Sequence, residues 1–147
     1  MNWEKHIVEL ARVKPDTFGW LFELVCYPVL KELFGELESS GPLDFKVKGK
    51  DVFIEVKSQG FSFNERQIAF IIDRAPQVYV VLLESAFRPR EQQLTKRIVH
   101  RFQTPLGSAL IIELDLWRFS EYYRSEYEAY KARQERWTRW EDLKRIA

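Results

Sequence analysis

Cys26 is the only cysteine among 147 residues. No internal disulfide can form, so the fold must rest on its core, and a lone thiol suits a reducing, cytoplasmic compartment. An excess of one charge is missing too. The 23 Lys and Arg residues stand against 22 Asp and Glu, a net charge of +1. That excludes a protein that grips a polyanion with its whole surface, and any basic footprint must be local. No apolar run approaches the roughly 18 residues of a membrane span, so a membrane is not an expected partner. Trp3, Glu4, Lys5 and Glu9 do not follow the charged-then-apolar order of a signal peptide. His6 and His100 have no partner at metal-ligand spacing. There are no repeats and no low-complexity linker.

What is present reads as one globular domain over residues 1–147, with 46% hydrophobic and 31% charged residues. Trp3, Ile7, Leu10 and Ala11 follow helical spacing, in a first helix that ends before Pro15. Phe18, Leu21, Phe22, Val25 and Val29 mark a second helix, which Pro28 should kink or split. Ser39-Ser40-Gly41-Pro42 reads as a loop. Ser62-Phe63-Asn64-Glu65 reads as a capping box opening a helix with Ile68, Ile71 and Ile72 on its apolar face. Val78–Leu83 is a continuous apolar run of the kind found in buried central strands. A polar helix near Pro89–Phe102, a strand at Ala109–Leu114 and one long helix over Ser120–Arg145 complete the expectation. The class is α/β, with a mixed sheet flanked by helices, an αβββαβ order through residue 83 and additional C-terminal helices over about residues 117–147.

The chemistry concentrates in one hairpin, Leu43–Val47 and Asp51–Lys57. A type II′ turn with Gly49-Lys50 at its centre pairs residues whose numbers sum to 99. Phe45 then faces Ile54, Lys48 faces Asp51, and Asp44 faces Glu55. Strand alternation puts Phe45, Val47, Val52, Ile54 and Val56 on one face and Asp44, Glu55 and Lys57 on the other. Opposed carboxylates repel, by roughly 0.2–1 kcal/mol on an exposed sheet. A hard divalent cation reverses that sign, because it seeks clustered carboxylate oxygens.

Gly41-Pro42-Leu43-Asp44, Phe53-Ile54-Glu55-Val56-Lys57-Ser58 and Asn64-Glu65-Arg66-Gln67 together resemble the PD-(D/E)xK nuclease superfamily. Within it they are similar to archaeal Holliday-junction resolvases and related restriction-endonuclease-like domains. The resemblance covers about residues 17–83. The looser acid-x-Lys pattern also occurs at Asp44-Phe45-Lys46 and Asp142-Leu143-Lys144. Only Glu55-Val56-Lys57 lies in an alternating apolar strand with an acid on the strand before it. The single cysteine separates the chain from relatives that carry a four-cysteine iron–sulfur cluster.

The resemblance implies a Mg²⁺- or Mn²⁺-dependent DNA endonuclease with a restriction-endonuclease-like sheet. Structure-selective cutting of the resolvase kind is one form this could take. Asp44, Glu55 and the Val56 carbonyl would hold the metal, and Lys57 would orient or deprotonate the attacking water. Gln67 would position Lys57 or the water. Glu23, in Gly19-Trp20-Leu21-Phe22-Glu23, either reaches the site or is an ordinary surface glutamate. The resemblance also implies a homodimer.

The basic footprint would come from Lys46 and Lys48 beside the hairpin, and from Arg88, Arg90, Lys96, Arg97 and Arg101, a segment with one acid, Glu91. The bland alternative for Arg88–Arg101 is a solvated helix face. Asn64 can be a simple cap, and Asp51 is expected to pair with Lys48. The C-terminal stripe Phe119, Tyr123, Tyr127, Tyr130, Trp137 and Trp140 is expected to pack rather than to stack on bases. Two other classes stay open. One is a non-catalytic nucleic-acid-binding or assembly module on the same fold. The other is an α/β interaction protein whose acids are ordinary surface charges.

Overall fold

Apolar residues alternate in some stretches of this chain and run unbroken in others, and the sheet is built on that difference. The computed structural model describes residues 3–13 and 17–146. Helices α1 (Trp3–Val13) and α2 (Phe18–Phe34) precede strands β1 (Leu37–Ser40), β2 (Leu43–Val47) and β3 (Val52–Lys57). Helix α3 (Glu65–Arg74) leads to β4 (Gln77–Leu83). A 3-10 turn at Glu84–Ala86 is followed by α4 (Pro89–Gln93), β5 (Thr95–Thr104), β6 (Gly107–Leu114), α5 (Leu116–Tyr122) and α6 (Arg124–Ile146). Pro15, the expected stop of the first helix, and the side chains of Trp3 and Ala11 lie outside the described residues.

The strands form one mixed sheet of order β1-β2-β3-β4-β6-β5. Only β3 and β4 are parallel; the other four pairings are antiparallel. A parallel step needs a crossover, and α3 supplies it. The unbroken run of β4 lies inside the sheet because both its faces are covered. Tyr79, Val81 and Leu83 meet α2 through Leu21, Phe22, Val25, Cys26 and Leu30. Val78, Val80 and Leu82 meet α3 and α5 through Ile68, Ile71 and Phe119. Each fully buried aliphatic side chain contributes on the order of 1.5–3 kcal/mol. Pro28 does not split α2. Pro28 and Leu24, whose carbonyl it leaves unpaired, are both exposed, so water can serve that group, and five buried side chains anchor the helix.

Several expectations need correction. Residues 95–102 are strand, not helix: α4 ends at Gln93, and β5 pairs with β6 across a Thr104–Gly107 turn. Thr104 Oγ1 accepts from Leu106 N and donates to Gly107 O, and Gly107 has φ +136°. An edge strand shows most of its side chains to water. Its polar residues therefore mimic a solvated helix, while the β-branched Thr95, Ile98 and Val99 favour the sheet. Ser39 and Ser40 belong to β1, which pairs with β2 and supplies the first strand of the αβββαβ order.

The hairpin turn is closed by Lys50 N donating to Val47 O, which puts Gly49 (φ +78°) at the third turn position. That is a type II arrangement, not II′, although the register is the expected one, with Phe45 opposite Ile54. Lys48 pairs with Glu36 at 3.5 Å rather than with Asp51. Finally, the C-terminal helix breaks at Tyr123 with no glycine or proline to mark it; Tyr123 is buried there against Phe63 and Phe119.

Candidate active site

Strands β2 and β3 pair directly at Phe45–Ile54 and Lys46–Phe53. Beyond that point carboxylates complete the ladder. Asp44 N donates to Glu55 Oε1 at 2.9 Å, and Val56 N donates to Asp44 Oδ2 at 2.8 Å. The N–H and C=O of one strand residue point to the same side, so the Val56 carbonyl also faces β2. Glu55 is only 3% exposed. Its Oε2 lies 3.0 Å from Lys57 Nζ and accepts from Gln67 Nε2 at 2.6 Å.

Gln67 joins this pair to α3. Its Nε2 also donates to Pro42 O at 3.2 Å, and its Oε1 accepts from Asn64 N at 3.1 Å and Lys57 Nζ at 3.4 Å. Both amide hydrogens and both carbonyl lone pairs are thus used, which fixes the orientation of the amide. Asn64 Oδ1 accepts from Gln67 N, so the box that opens α3 is Asn64 with Gln67, not the Ser62–Glu65 pair expected. The Lys57 ammonium also lies 5.0 Å from the centre of the Phe63 ring.

Burial, and then the neighbouring Asp44, push the Glu55 carboxyl up to about 7, against a smaller opposing pull from Lys57. Glu23, on α2, is raised as well, first by burial and then by the Asp44 charge. Its carboxyl thus senses the Asp44 charge. Among the described residues no three acidic, His or Cys side chains form a metal-binding cluster. The donors at hand are Asp44, Glu55 and the Val56 carbonyl, all hard oxygens, and in kind they suit Mg²⁺ or Mn²⁺.

The expected basic footprint is dispersed. Lys48 pairs with Glu36, Arg101 with Glu84 at 2.8 Å, and both Lys96 and Arg97 with Glu113 at 3.8 and 2.8 Å. Strand β5 lies three strands from β3, roughly 14 Å at the usual strand spacing. Lys46 is half-buried on β2 opposite Glu38 of β1. Arg88 and Arg90 line the space beyond the end of β3, beside Ser58 and Gln59. His100 is exposed on β5 beside Phe102, and Cys26 is fully buried, its thiol pushed up to about 12 by burial and Glu23. The aromatic stripe divides. Phe119 and Tyr123 are in the core, Tyr127 binds Asp73, and Trp137 and Trp140 are exposed.

Sequence reasoning did not single out Glu91 as a buried acid or Gly60 as its neighbour. The one available signal was an isolated acid in a basic segment. No family model matches the chain, and neither does any curated protein or solved structure.

Gln67→Ala should remove four side-chain hydrogen bonds and leave a buried carboxylate short of a donor. The expected loss is about 1–3 kcal/mol in urea unfolding. A loss within a few tenths of a kcal/mol would mean that water replaces the amide at no cost.

Proposed function

We propose that this protein is a divalent-metal-dependent DNA endonuclease on a restriction-endonuclease-like fold. One observation carries the reading. Asp44, Glu55, Lys57 and Gln67 converge from β2, β3 and α3 into one connected network around a buried carboxylate. A structural role alone does not call for two acids side by side in a partly buried place, since each raises the free energy of ionising the other.

Asp44, Glu55 and the Val56 carbonyl would hold Mg²⁺ or Mn²⁺, with Glu23 adding negative potential. When bound, the metal supplies Lewis-acid stabilisation of phosphate charge and a more acidic water. Lys57 directs its ammonium to the oxygens of the scissile phosphate, which carry growing negative charge during in-line attack. Gln67 holds Lys57 and Glu55 in fixed relation, so that neither must be ordered when substrate arrives. The phosphodiester is hydrolysed with no covalent enzyme intermediate. The deciding test is Mg²⁺-dependent cleavage of duplex, flapped and four-way DNA. Preference for the four-way substrate would support resolvase-like selectivity.

A second reading has its own support: both Glu55 oxygens already have protein partners. A non-catalytic binding module would bind the same DNAs without cutting them. Metal linkage separates the two. Mg²⁺ at a hundredfold excess over its Kd should stabilise the folded protein by about 2.7 kcal/mol, read as a rise in Tm. Asp44→Asn should abolish most of that rise. An equal Tm response in wild type and Asp44→Asn would remove this site from consideration.

A further inference from the structure

Packing accounts for the first half of the C-terminal aromatic stripe. Phe119 and Tyr123 are in the core, and Tyr127 binds Asp73. It does not account for the rest. Helix α6 is 23 residues long, and none of its described side chains is buried. Trp137 is 64% exposed and Trp140 53%. A helix solvated all round is normally held by many i,i+4 ion pairs. Among the described residues α6 has none within itself; Lys131–Asp73 and Arg133–Glu65 both go to α3.

The sequence of α6 sorts its side chains by face. Tyr130, Arg133, Trp137, Trp140 and Lys144 follow steps of three and four residues, so they share one face. That face spans about 21 Å of helix axis. Glu128, Glu135 and Asp142 recur at seven-residue steps on the opposite face. From Tyr130 onward, Glu141 is the one acid that adjoins the stripe. Arg136, one turn from both Arg133 and Trp140, is exposed and makes no ion pair among the described residues. The stripe begins at the candidate active site. Arg133 pairs with Glu65, the first residue of α3 and two before Gln67. Tyr130 and Gln134 share a groove with Arg66 and Pro42, and the Pro42 carbonyl accepts from Gln67 Nε2. Arg66 is exposed and makes no ion pair among the described residues.

Rings interleaved with cations suit a ligand that is both flat-faced and anionic. Nucleic acid supplies both, but its base faces are open only where the strand is unpaired. A membrane surface wants a continuous apolar face; here cations interrupt the rings, and Leu143 and Ile146 lie off the stripe. A second copy of α6 laid on the stripe would crowd the cations of both copies into one seam, an unfavourable juxtaposition. We propose that α6 holds a single-stranded segment of DNA, with bases stacked on Trp137 and Trp140 and phosphates on Arg66 and Arg136. The proposal deepens the nuclease reading and rests on it: the substrate would carry an unpaired strand that leads away from the Lys57 site along α6.

The test is fluorescence anisotropy of the full chain, without metal, with a labelled oligothymidylate and a blunt duplex of equal length. The single strand should bind about tenfold more tightly than the duplex and quench tryptophan emission, because stacking needs open base faces. Trp137→Ala with Trp140→Ala should weaken single-strand binding by about tenfold or more and remove most of the quenching. Trp137→Phe with Trp140→Phe keeps a ring at each place and should stay within about threefold of wild type. Arg136→Ala should make the salt slope shallower by about 0.7. Trp117→Ala, an exposed tryptophan on α5, should change nothing. All these positions are exposed, so the Tm should hold. Single-strand affinity that is unchanged in the double alanine variant, or lost equally in Trp117→Ala, would overturn the proposal. So would a stripe that the double alanine variant shows to serve dimerisation, by sedimentation, or binding to phosphatidylglycerol vesicles, with no preference for the single strand. The nuclease reading is judged separately, by Mg²⁺-dependent cleavage and its loss in Lys57→Ala. If DNA is cut but the tryptophans do not hold a single strand, the α6 proposal alone fails; if they hold it in a protein that cuts nothing, the nuclease reading alone fails.

Discussion

Lys57→Ala should slow Mg²⁺-dependent DNA cleavage by about 10²–10⁴-fold, the usual range for a positioned proton-transfer or charge-stabilising group. DNA affinity should change by less than about threefold, because one ammonium is a small part of a phosphate-contacting surface. Three contacts hold the side chain in place: Glu55 at 3.0 Å, Gln67 at 3.4 Å and the Phe63 ring at 5.0 Å. Such a group enters the reaction already ordered. Its removal also takes away a cation that lowers the Glu55 carboxyl. Residual cleavage should therefore have its acidic limb displaced to higher pH. Single-turnover rates across pH, with filter binding alongside, measure both effects. A variant that cuts at the wild-type rate would exclude Lys57 from the chemistry.

Glu55 should make the metal-free protein less stable as pH rises from about 4.5 to about 7. In the unfolded chain its carboxyl loses the proton near the ordinary value of 4.5, whereas in the folded protein it keeps it to about 7. Between those values the folded state binds more proton, so stability falls with increasing pH, and above 7 this contribution is constant. The whole change is on the order of 3 kcal/mol, set by desolvation and by the neighbouring Asp44. Glu55→Gln should flatten the slope in that window and raise stability at pH 8. Divalent metal favours the ionised form, so the Mg²⁺-induced rise in Tm should grow between pH 5.5 and 7.5. A wild-type stability that climbs through this window would reverse the assignment of the buried proton.

The central hairpin was legible because two independent signals agreed there. Alternation fixed the faces of Phe45, Val47, Ile54 and Val56, and the loop length fixed the register, so Phe45 lies opposite Ile54 even though the turn is of another type. Gln67 was singled out only through the superfamily resemblance, which put it near Lys57, and its amide lies within hydrogen-bond reach of Lys57 and Glu55. Strand β5 was not legible. Its side chains lie mostly on an exposed edge, and exposure erases the contrast between buried and solvated positions on which periodicity depends. The break at Tyr123 was hidden for the opposite reason: tertiary packing against Phe63 and Phe119, and no local stop signal, sets it. Glu91 escaped notice because its burial arises from residues 30 positions away in the chain, around Gly60 and Phe61.

Every side chain of the Asp44–Glu55–Lys57–Gln67 network comes from one short, continuous stretch, β2 through the first turn of α3. The loops that close it are short, so little chain entropy is lost in bringing its members together. The β4–β6–β5 half of the sheet buries and stiffens this unit. Insertions or exchanges beyond residue 83 would be felt first as changes in stability or in what binds nearby, while the spacing of the two carboxylates and the lysine is carried by the hairpin itself. In the proposed nuclease the reacting groups and the surfaces that choose a substrate are thereby uncoupled along the sequence, leaving the second half of the chain free to diverge around a fixed centre.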